Sequence, residues 1–584
     1  MAGPRPLPRW FGLRVRLFLG LLAAGLLAAG MRLVDLQVVR GSELNRLSRE
    51  EHLADLRVPA RRGHIYDRHN KPLAISVDVP SIYANPSVVK DARTAAHALA
   101  PVLALEVESV YQRLASDKLF VWLKRQVTPD VAEAVQALAL AGIGTTKESR
   151  RFYPSREVAA HVVGFAGVDG HGLDGIEREF DNALYGEPQV VMTVRDGRGR
   201  AVLGSAVDRE ARALGADVIL TIDAQIEHAA RDALRRGVVA AGAKAGSVVV
   251  LHVPTGEVLA LANMPDFNPN QAAAVAADAR RNRAVTDMFE PGSTLKPLVI
   301  AAAIEARALS PDGSVFCENG AFDVGGHTIR DGKPYAWMGL TAILAHSSNI
   351  GAAKVGLELG APRLHAALKS YGLGERSGIA LPGETAGIVR EPKAWSKMEL
   401  ATISFGHGVA VSALQLANAY RVLAAGGRYD PPALVRGISF ADGHIETPAP
   451  PAGARVLSKA TAEHVSRMLE SVVSAEGTGS LAAVPGFRVA GKTGTAEKVD
   501  LVAGGYSRDR TMAMFAGYLP AQAPVVVITV VVDEPRAAHL GGAVAAPIFA
   551  EIAEASMRLL GVVPSAPVVP SAPVTVSPAP VTSP

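Results

Sequence analysis

A single cysteine, Cys317, stands in 584 residues. No intramolecular disulfide, cysteine-rich zinc site or dithiol redox pair can be built from it. Metal chemistry has no other foothold: the 15 histidines form no H-E-x-x-H run, and no acidic loop has calcium-binding spacing. The charge balance is ordinary, with 20% charged residues and a formal net charge of +4, so the sequence lacks the basic footprint of a nucleic-acid binder. Even the apolar run near the N-terminus, Leu17 to Met31, falls short of the ~20 residues a membrane-spanning helix needs.

That run has the flanks of an anchor all the same. Arg5, Arg9, Arg14 and Arg16 precede it, Trp10 and Phe11 stand where an interfacial aromatic belt belongs, and Leu33, Val34, Leu36, Val38 and Val39 extend it. Arg32 can snorkel and pair with Asp35, three residues on. The basic flank predicts a cytoplasmic tail (1–16), a retained anchor (17–39) and export of all that follows. A cleaved signal peptide, with small residues at Ala28 to Gly30, is the competing reading and leads to the same compartment.

From 40 to 242 short strand and helix patterns mix, with strands expected near Arg62–Ser76 and Phe120–Val127, and a helix capped by Thr128 with Pro129 at its first position. Gly170, Gly172 and Gly175 fit G-x-G-x-x-G, with Asp196 about 20 residues on. No second β-α-β half follows, and the run reads as a glycine-rich turn before a surface helix, not as a dinucleotide site. After Leu220-Thr221-Ile222-Asp223 comes an amphipathic helix from Gln225 to Val238. From 243 to 560, apolar strands (Ser247–Val253, Glu257–Ala262; then Phe487–Lys498, Met512–Leu519, Val525–Val532) bracket a helical middle, and a helix from Ala543 to Leu560 closes the pattern. This predicts an α+β domain whose one sheet is assembled from both ends of the segment. Residues 561–584, rich in Pro, Val, Ser and Ala, are expected to be disordered.

Three motifs carry chemistry. Ser293-Thr294-Leu295-Lys296 follows a Pro291-Gly292 turn and opens an apolar helix, with Pro297 in its first turn, where a missing N–H is tolerated. Residues three apart share a helix face, so a desolvated lysine amine can serve the serine as base. The spacing recurs at Ser87 and Lys90, read as the end of a loop, so S-x-x-K alone decides nothing. Company decides it: Ser347-Ser348-Asn349 lies 54 residues after Ser293 between two helical segments, and Lys492-Thr493-Gly494-Thr495 starts 145 residues after Ser347 on a strand. The order S-x-x-K, S-x-N, K-T-G is that of serine acyl-transfer enzymes.

With these residues in hand the chain resembles the penicillin-binding protein/serine β-lactamase superfamily, and within it the class B penicillin-binding proteins. Arg62-Gly63-x-Ile65-x-Asp67-Arg68, Arg151-Phe152-Tyr153-Pro154, Gly175-x-Glu177 and Leu220-Thr221-Ile222-Asp223 extend the likeness through the N-terminal half. Asn282 to Ser293, Ser404-Phe405-Gly406-His407-Gly408 and Gly541 to Pro547 look like the cell-division, FtsI-type branch. The resemblance implies a transmembrane helix, an elongated mixed α/β pedestal (40–242) and a transpeptidase domain (243–560) with an antiparallel sheet flanked by helices. It implies an inner-membrane protein whose catalytic domain lies in the periplasm at the septum. Ser293 would attack the carbonyl between two D-alanines of a peptidoglycan stem peptide and carry the acyl ester, with Lys296 as base. Ser347 would relay protons, Asn349 would hold the substrate amide, and Lys492 would supply positive charge. Thr493, Gly494 and Thr495 would bind substrate, and the backbone N–H groups of Ser293 and Thr495 would form the oxyanion hole. No cofactor or metal is implied. The implied partners are donor and acceptor stem peptides, β-lactams, the membrane, and division proteins including an FtsW-like polymerase of lipid-linked precursors. An elongation-type class B enzyme is the alternative, as is a non-catalytic β-lactam sensor or scaffold.

Overall fold

The computed structural model describes residues 9–41, 43, 53–58, 61–186, 189–195, 201–202, 214–448, 453–499 and 505–565. They divide into two units, Met1–Arg61 with Glu187–Leu214, and Arg62–Gly186 with Gly215–Pro584. The first unit holds the N-terminal helix Arg9–Val34, which runs into a π-helical turn, Asp35–Val39. From Leu13 to Val39 it is long and apolar enough to cross a membrane. The expected partnership forms there, with Arg32 Nη1 2.7 Å from Asp35 Oδ2. The same unit has a small antiparallel sheet in which Gln189–Arg195 lies between Leu53–Val58 and Ala201–Val202.

The second unit begins with a seven-stranded sheet ordered Ile445–Glu446, Val435–Ser439, Asp217–Leu220, Ile65–Tyr66, Pro72–Ala84, Val121–Lys124, with Ile143–Phe152 also paired to Pro72–Ala84. Two of these strands come from beyond residue 430, so the sheet crosses the expected boundary at 242/243. The strand expected over Phe120–Val127 is only Val121–Lys124, because Gln126 adopts a left-handed φ of 53°. Thr128 does precede the helix Pro129–Ala137, but its side chain makes no capping bond.

Elements around the catalytic motifs are labelled in chain order. Helix α1 (Ala224–Ala240) precedes β1 (Ala245–His252) and β2 (Val258–Met264); α2 (Lys296–Glu305), α3 (Leu340–Ala345), α4 (Asn349–Leu359) and α5 (Ala413–Ala424) form the helical middle. Strands β3 (Ala490–Val499), β4 (Tyr506–Leu519) and β5 (Val526–Asp533) and helix α6 (Gly541–Leu559) complete it. The sheet order is β2-β1-β5-β4-β3, antiparallel throughout, so its strands do come from both ends of the segment. Strand β1 reads as an unbroken apolar run because both sheet faces are covered. Val248 and Val250 pack with Ile226, Leu234, Ile548 and Phe549 of α1 and α6 on one face. Val249 and Leu251 join the core of α2 and α5 on the other. Helix α1 therefore shares a core with this sheet although it lies before residue 242.

Candidate active site

Ser293 sits in a single 3-10 turn, Gly292–Leu295, that passes directly into α2. The turn is placed by glycines. Gly292 has φ 51°, its N–H donates to Gly406 O at 3.1 Å, and a Cβ on Gly406 would overlap the Gly292 carbonyl. A Cβ on Gly292 would come within 3.1 Å of Thr495 O, and one on Gly494 within 2.8 Å of Thr294 Cγ2. Gly494 thus lets the edge strand β3 close on the serine turn.

Helix α2 is buried on all sides, and Lys296 at its start is fully enclosed. Its Nζ donates to Ser347 O at 2.6 Å, Asn349 Oδ1 at 2.8 Å and Ser347 Oγ at 3.2 Å. Ser347 Oγ in turn donates to Ser293 Oγ at 2.9 Å and accepts from Lys492 Nζ at 3.0 Å. Among the described residues no direct hydrogen bond joins Ser293 to Lys296, and Ser347 Oγ lies between them. Burial pushes the Lys296 amine well below its ordinary pKa, the neighbouring Lys492 pushes it further, and Asp331 opposes both. Burial alone brings Lys492 down to about 7. Two amines whose charge burial disfavours thus converge on one hydroxyl, which touches a second hydroxyl at the mouth of a cleft.

Ser347 occupies the junction of α3 and α4 with a left-handed φ of 60°, a conformation a non-glycine residue holds only under constraint. Asp331, from the loop after the strand His327–Arg330, supplies that constraint. Its carboxylate accepts from Ser348 Oγ at 2.5 Å, Asn349 N at 2.6 Å and Ile350 N at 3.1 Å, capping α4 from outside. Ser348 adds a cap to Gly351 N at 2.9 Å.

On β3 the two threonines differ. Thr493 is buried, its hydroxyl meeting Thr478 Oγ1 at 2.9 Å and Lys492 Nζ at 3.3 Å. Thr495 faces a cleft of ≈ 780 Å³ with Ser293, Asn349, Phe405, His407, Glu497, Asp509, Thr511, Pro535, Arg536 and His539, and its hydroxyl accepts from Gly541 N at 3.0 Å. A Cβ on Gly541 would overlap the carbonyl oxygens of Gly494 and Met514, so the start of α6 is pressed onto the K-T-G strand. Among the described residues no cluster of three or more metal-ligating side chains occurs.

Other motifs resolve structurally. Ser87 lies in a 3-10 turn and donates to Asn85 Oδ1 at 2.7 Å, as a loop residue does. Gly172 and Gly175 precede or open a helix (Gly175–Glu179) that exposes Arg178 and Glu179, as a surface helix does, while it buries Gly175, Ile176 and Glu177. Glu177 accepts from Arg62 Nε at 2.6 Å and Arg151 Nε at 2.6 Å, and Arg62 also reaches Asp181 at 2.5 Å and Gly170 O at 3.0 Å. The glycine run is the seat of an arginine–glutamate network. Asp196 lies outside the described residues, as do residues 566–584 of the expected disordered tail. Spacing had not disclosed Asp331, Glu290 or Gly541. The glycines either side of His407 and the doublet at Gly541 were the only signals of close approach.

Two family descriptions match the chain: the penicillin binding protein transpeptidase domain over residues 246–554, and the penicillin-binding protein dimerisation domain over 57–220. A probable peptidoglycan D,D-transpeptidase PenA of Neisseria meningitidis is 37% identical over 94% of this chain and 92% of the relative. The peptidoglycan D,D-transpeptidase FtsI of Escherichia coli K12 is 36% identical over 92% of this chain and 90% of the relative. Among solved structures, penicillin-binding protein 3 of Mycobacterium tuberculosis, in complex with aztreonam, superposes with a TM-score of 0.68 at 30% identity, covering 88% of this chain and 99% of the other. The transpeptidase domain of penicillin-binding protein 3 from Burkholderia pseudomallei gives 0.53 at 38% identity over 60% and 98%.

Proposed function

The chain belongs to the class B penicillin-binding proteins, and on that premise we propose that it is a peptidoglycan D,D-transpeptidase that cross-links stem peptides during cell division and is a target of β-lactams. The observation that carries the reading is the hydroxyl chain Ser293–Ser347, 2.9 Å apart, with both lysine amines within 3.2 Å of Ser347. Ser293 attacks the carbonyl between the two D-alanines, and its proton passes through Ser347 to Lys296, whose amine is available because burial disfavours its charge. Ser347 returns a proton to the departing D-alanine. Asn349, held beside Lys296, binds the substrate amide, while Lys492 gives positive charge and Thr493, Gly494 and Thr495 receive the peptide and its carboxylate. The N–H groups of Ser293 and Thr495 stabilise the oxyanion. Strand β3 lies at the edge of the sheet, where an extended peptide can add as a further strand.

An amine from a second stem then releases the acyl group and forms the cross-link. The division role is supported by the FtsI and PenA relatives, and the β-lactam role by the aztreonam complex of the structural neighbour. In this reading the layout is a cytoplasmic tail (1–16), an inner-membrane anchor (17–39), a pedestal (40–242), a transpeptidase domain (243–560) in the periplasm and a terminal tail (561–584). An FtsW-like polymerase and other division proteins are its partners at the septum.

Fluorescent penicillin tests the site: wild type is labelled and Ser293→Ala is not, whereas equal labelling would remove Ser293 from the role. Depletion tests the process, since filaments fit septal work and rounded cells would point to elongation.

A further inference from the structure

His407 stands in the cleft beside Ser293, Asn349 and Thr495, yet the acylation route just described does not use it. Its place is fixed to the nucleophile's own turn from both sides. On one side Gly406 O receives Gly292 N at 3.1 Å; on the other Gly408 N donates to Glu290 Oε1 at 2.8 Å, three residues before Ser293. The backbone N–H of His407 is tied to Thr402 O at 3.1 Å. Gly406 and Gly408 take left-handed φ values of 89° and 81°, which lets the imidazole project from so tight a loop. Its ring packs at 5.3 Å on Phe405 and 5.5 Å on Tyr506. Neither ring nitrogen has a hydrogen-bond partner among the described residues, so both remain available to a ligand in the cleft.

The surroundings favour an imidazole that can accept a proton and hold it briefly. Burial lowers its pKa below 6.5, leaving it neutral at pH 7; Glu290 and Glu497 work in the opposite sense, and Lys296 lowers it further whenever it carries charge. Glu290 accepts from Tyr506 Oη at 3.1 Å through the same oxygen that holds Gly408, and its buried Oε2 has no partner. Glu497, exposed in the cleft, has no ion-pair partner among the described residues; Asp509, Arg536 and His539 are the other charged or titratable groups of that lining.

We propose that His407 is the base for the second half of the reaction, taking the proton from the acceptor amine as it attacks the Ser293 ester. This rests on the transpeptidase reading. The amine nitrogen bonds to the acyl carbon and gives its proton to the imidazole. The bond from that carbon to Ser293 Oγ breaks, and the oxygen takes a proton from Ser347, which regains one from the Lys492 ammonium 3.0 Å away. His407 takes up one proton and Lys492 delivers one, so the balance closes, and both return to their resting charge by exchange with water. Glu290 and Glu497 stabilise the imidazolium, and the acceptor enters as its free amine.

The test compares the full-length wild type with His407→Phe, which keeps the packing ring, and His407→Gln, which keeps a hydrogen-bonding atom. Each is given an N-acylated D-alanyl thioester donor with and without D-alanine as acceptor amine, and the ratio of aminolysis to hydrolysis is measured from pH 5 to 8. General-base catalysis is worth about 10²–10⁴-fold, so both variants should lose at least ~10-fold in that ratio. Wild type should show a ratio that rises through a pKa below 6.5, and both variants should lose that limb. A wild-type ratio and profile in His407→Phe would overturn the proposal in favour of packing alone, and so would aminolysis and hydrolysis falling in equal proportion. Failure of wild type to form any acyl-enzyme would instead sink the transpeptidase reading itself.

Discussion

Replacing Asp331 with alanine should damage the site from a position that contacts no substrate. Its carboxylate accepts three hydrogen bonds, from Ser348 Oγ, Asn349 N and Ile350 N. The two amides belong to the first turn of α4 and have no partner within the helix. A hydrogen bond to a charged acceptor contributes about 1.5–3 kcal/mol, and a helix cap about 1 kcal/mol. The three are not additive, and Asp331 is only half-buried, so water replaces part of what is lost. The net loss should be about 2 kcal/mol. It falls on the turn that holds Ser347 at φ 60°, a conformation costing about 1–3 kcal/mol that relaxes once released. If that 2 kcal/mol is felt in the transition state, acylation slows by roughly 30-fold. The assay is the second-order rate of acylation by fluorescent penicillin, read beside a thermal melt. Asp331→Asn should fall between wild type and Asp331→Ala, because the amide oxygen keeps one acceptor but not the charge. Acylation of Asp331→Ala at the wild-type rate would refute the reasoning, since the S-x-N turn would then hold its shape unaided.

Gly541→Ala, which would drive a methyl group into the carbonyls of Gly494 and Met514, should displace β3 and slow penicillin acylation at least ~10-fold with the rest of the fold intact by circular dichroism; normal acylation would show that α6 yields instead. Glu227 is fully buried, accepts from Leu261 N at 2.6 Å, and has its pKa raised by burial to about 7. A folded-state pKa above the unfolded value means that its favourable contribution is complete below pH 4.5 and lost as pH rises to about 7. Glu227→Gln should therefore gain thermal stability relative to wild type across that window, by up to about 3 kcal/mol, and parallel melting curves against pH would contradict this. Arg62→Ala leaves Glu177 buried with half its ion pairing and should cost about 3–5 kcal/mol, seen as a lower denaturant midpoint; a midpoint within ~0.5 kcal/mol of wild type would show that Arg151 alone suffices.

The chemistry of the motifs was legible because acyl transfer demands particular residue types at particular spacings, and the sheet was legible because strands covered on both faces leave continuous apolar runs. The partnership inside the site was less so. Ser293 and Lys296 share a face as spacing requires, but Lys296 turns toward Ser347 and Asn349, 51 and 53 residues away, and no local pattern encodes that choice. Asp331 and Glu290 escaped notice because a carboxylate in a loop looks the same whether it faces water or caps a distant helix. The inward face of the helix after the glycines of 170–175 was not legible, since only the folded chain brings Arg62 and Arg151, from before and within the long strands, onto Glu177. Residues 435–446 join the first sheet for a similar reason: strand partners 215 or more residues apart leave no periodic mark.

The central claim is that Ser293 carries an acyl group from a D-alanyl-D-alanine donor to an amine. Its most direct measurement incubates the purified full-length chain with a pentapeptide donor and an amine acceptor. Mass spectrometry then follows the Ser293 peptide, free D-alanine and the amide product together. The account predicts an acyl adduct on the Ser293 peptide, one D-alanine released for each acyl group transferred, and none of the three signals in Ser293→Ala. Amide product from the Ser293→Ala chain at the wild-type rate would contradict it.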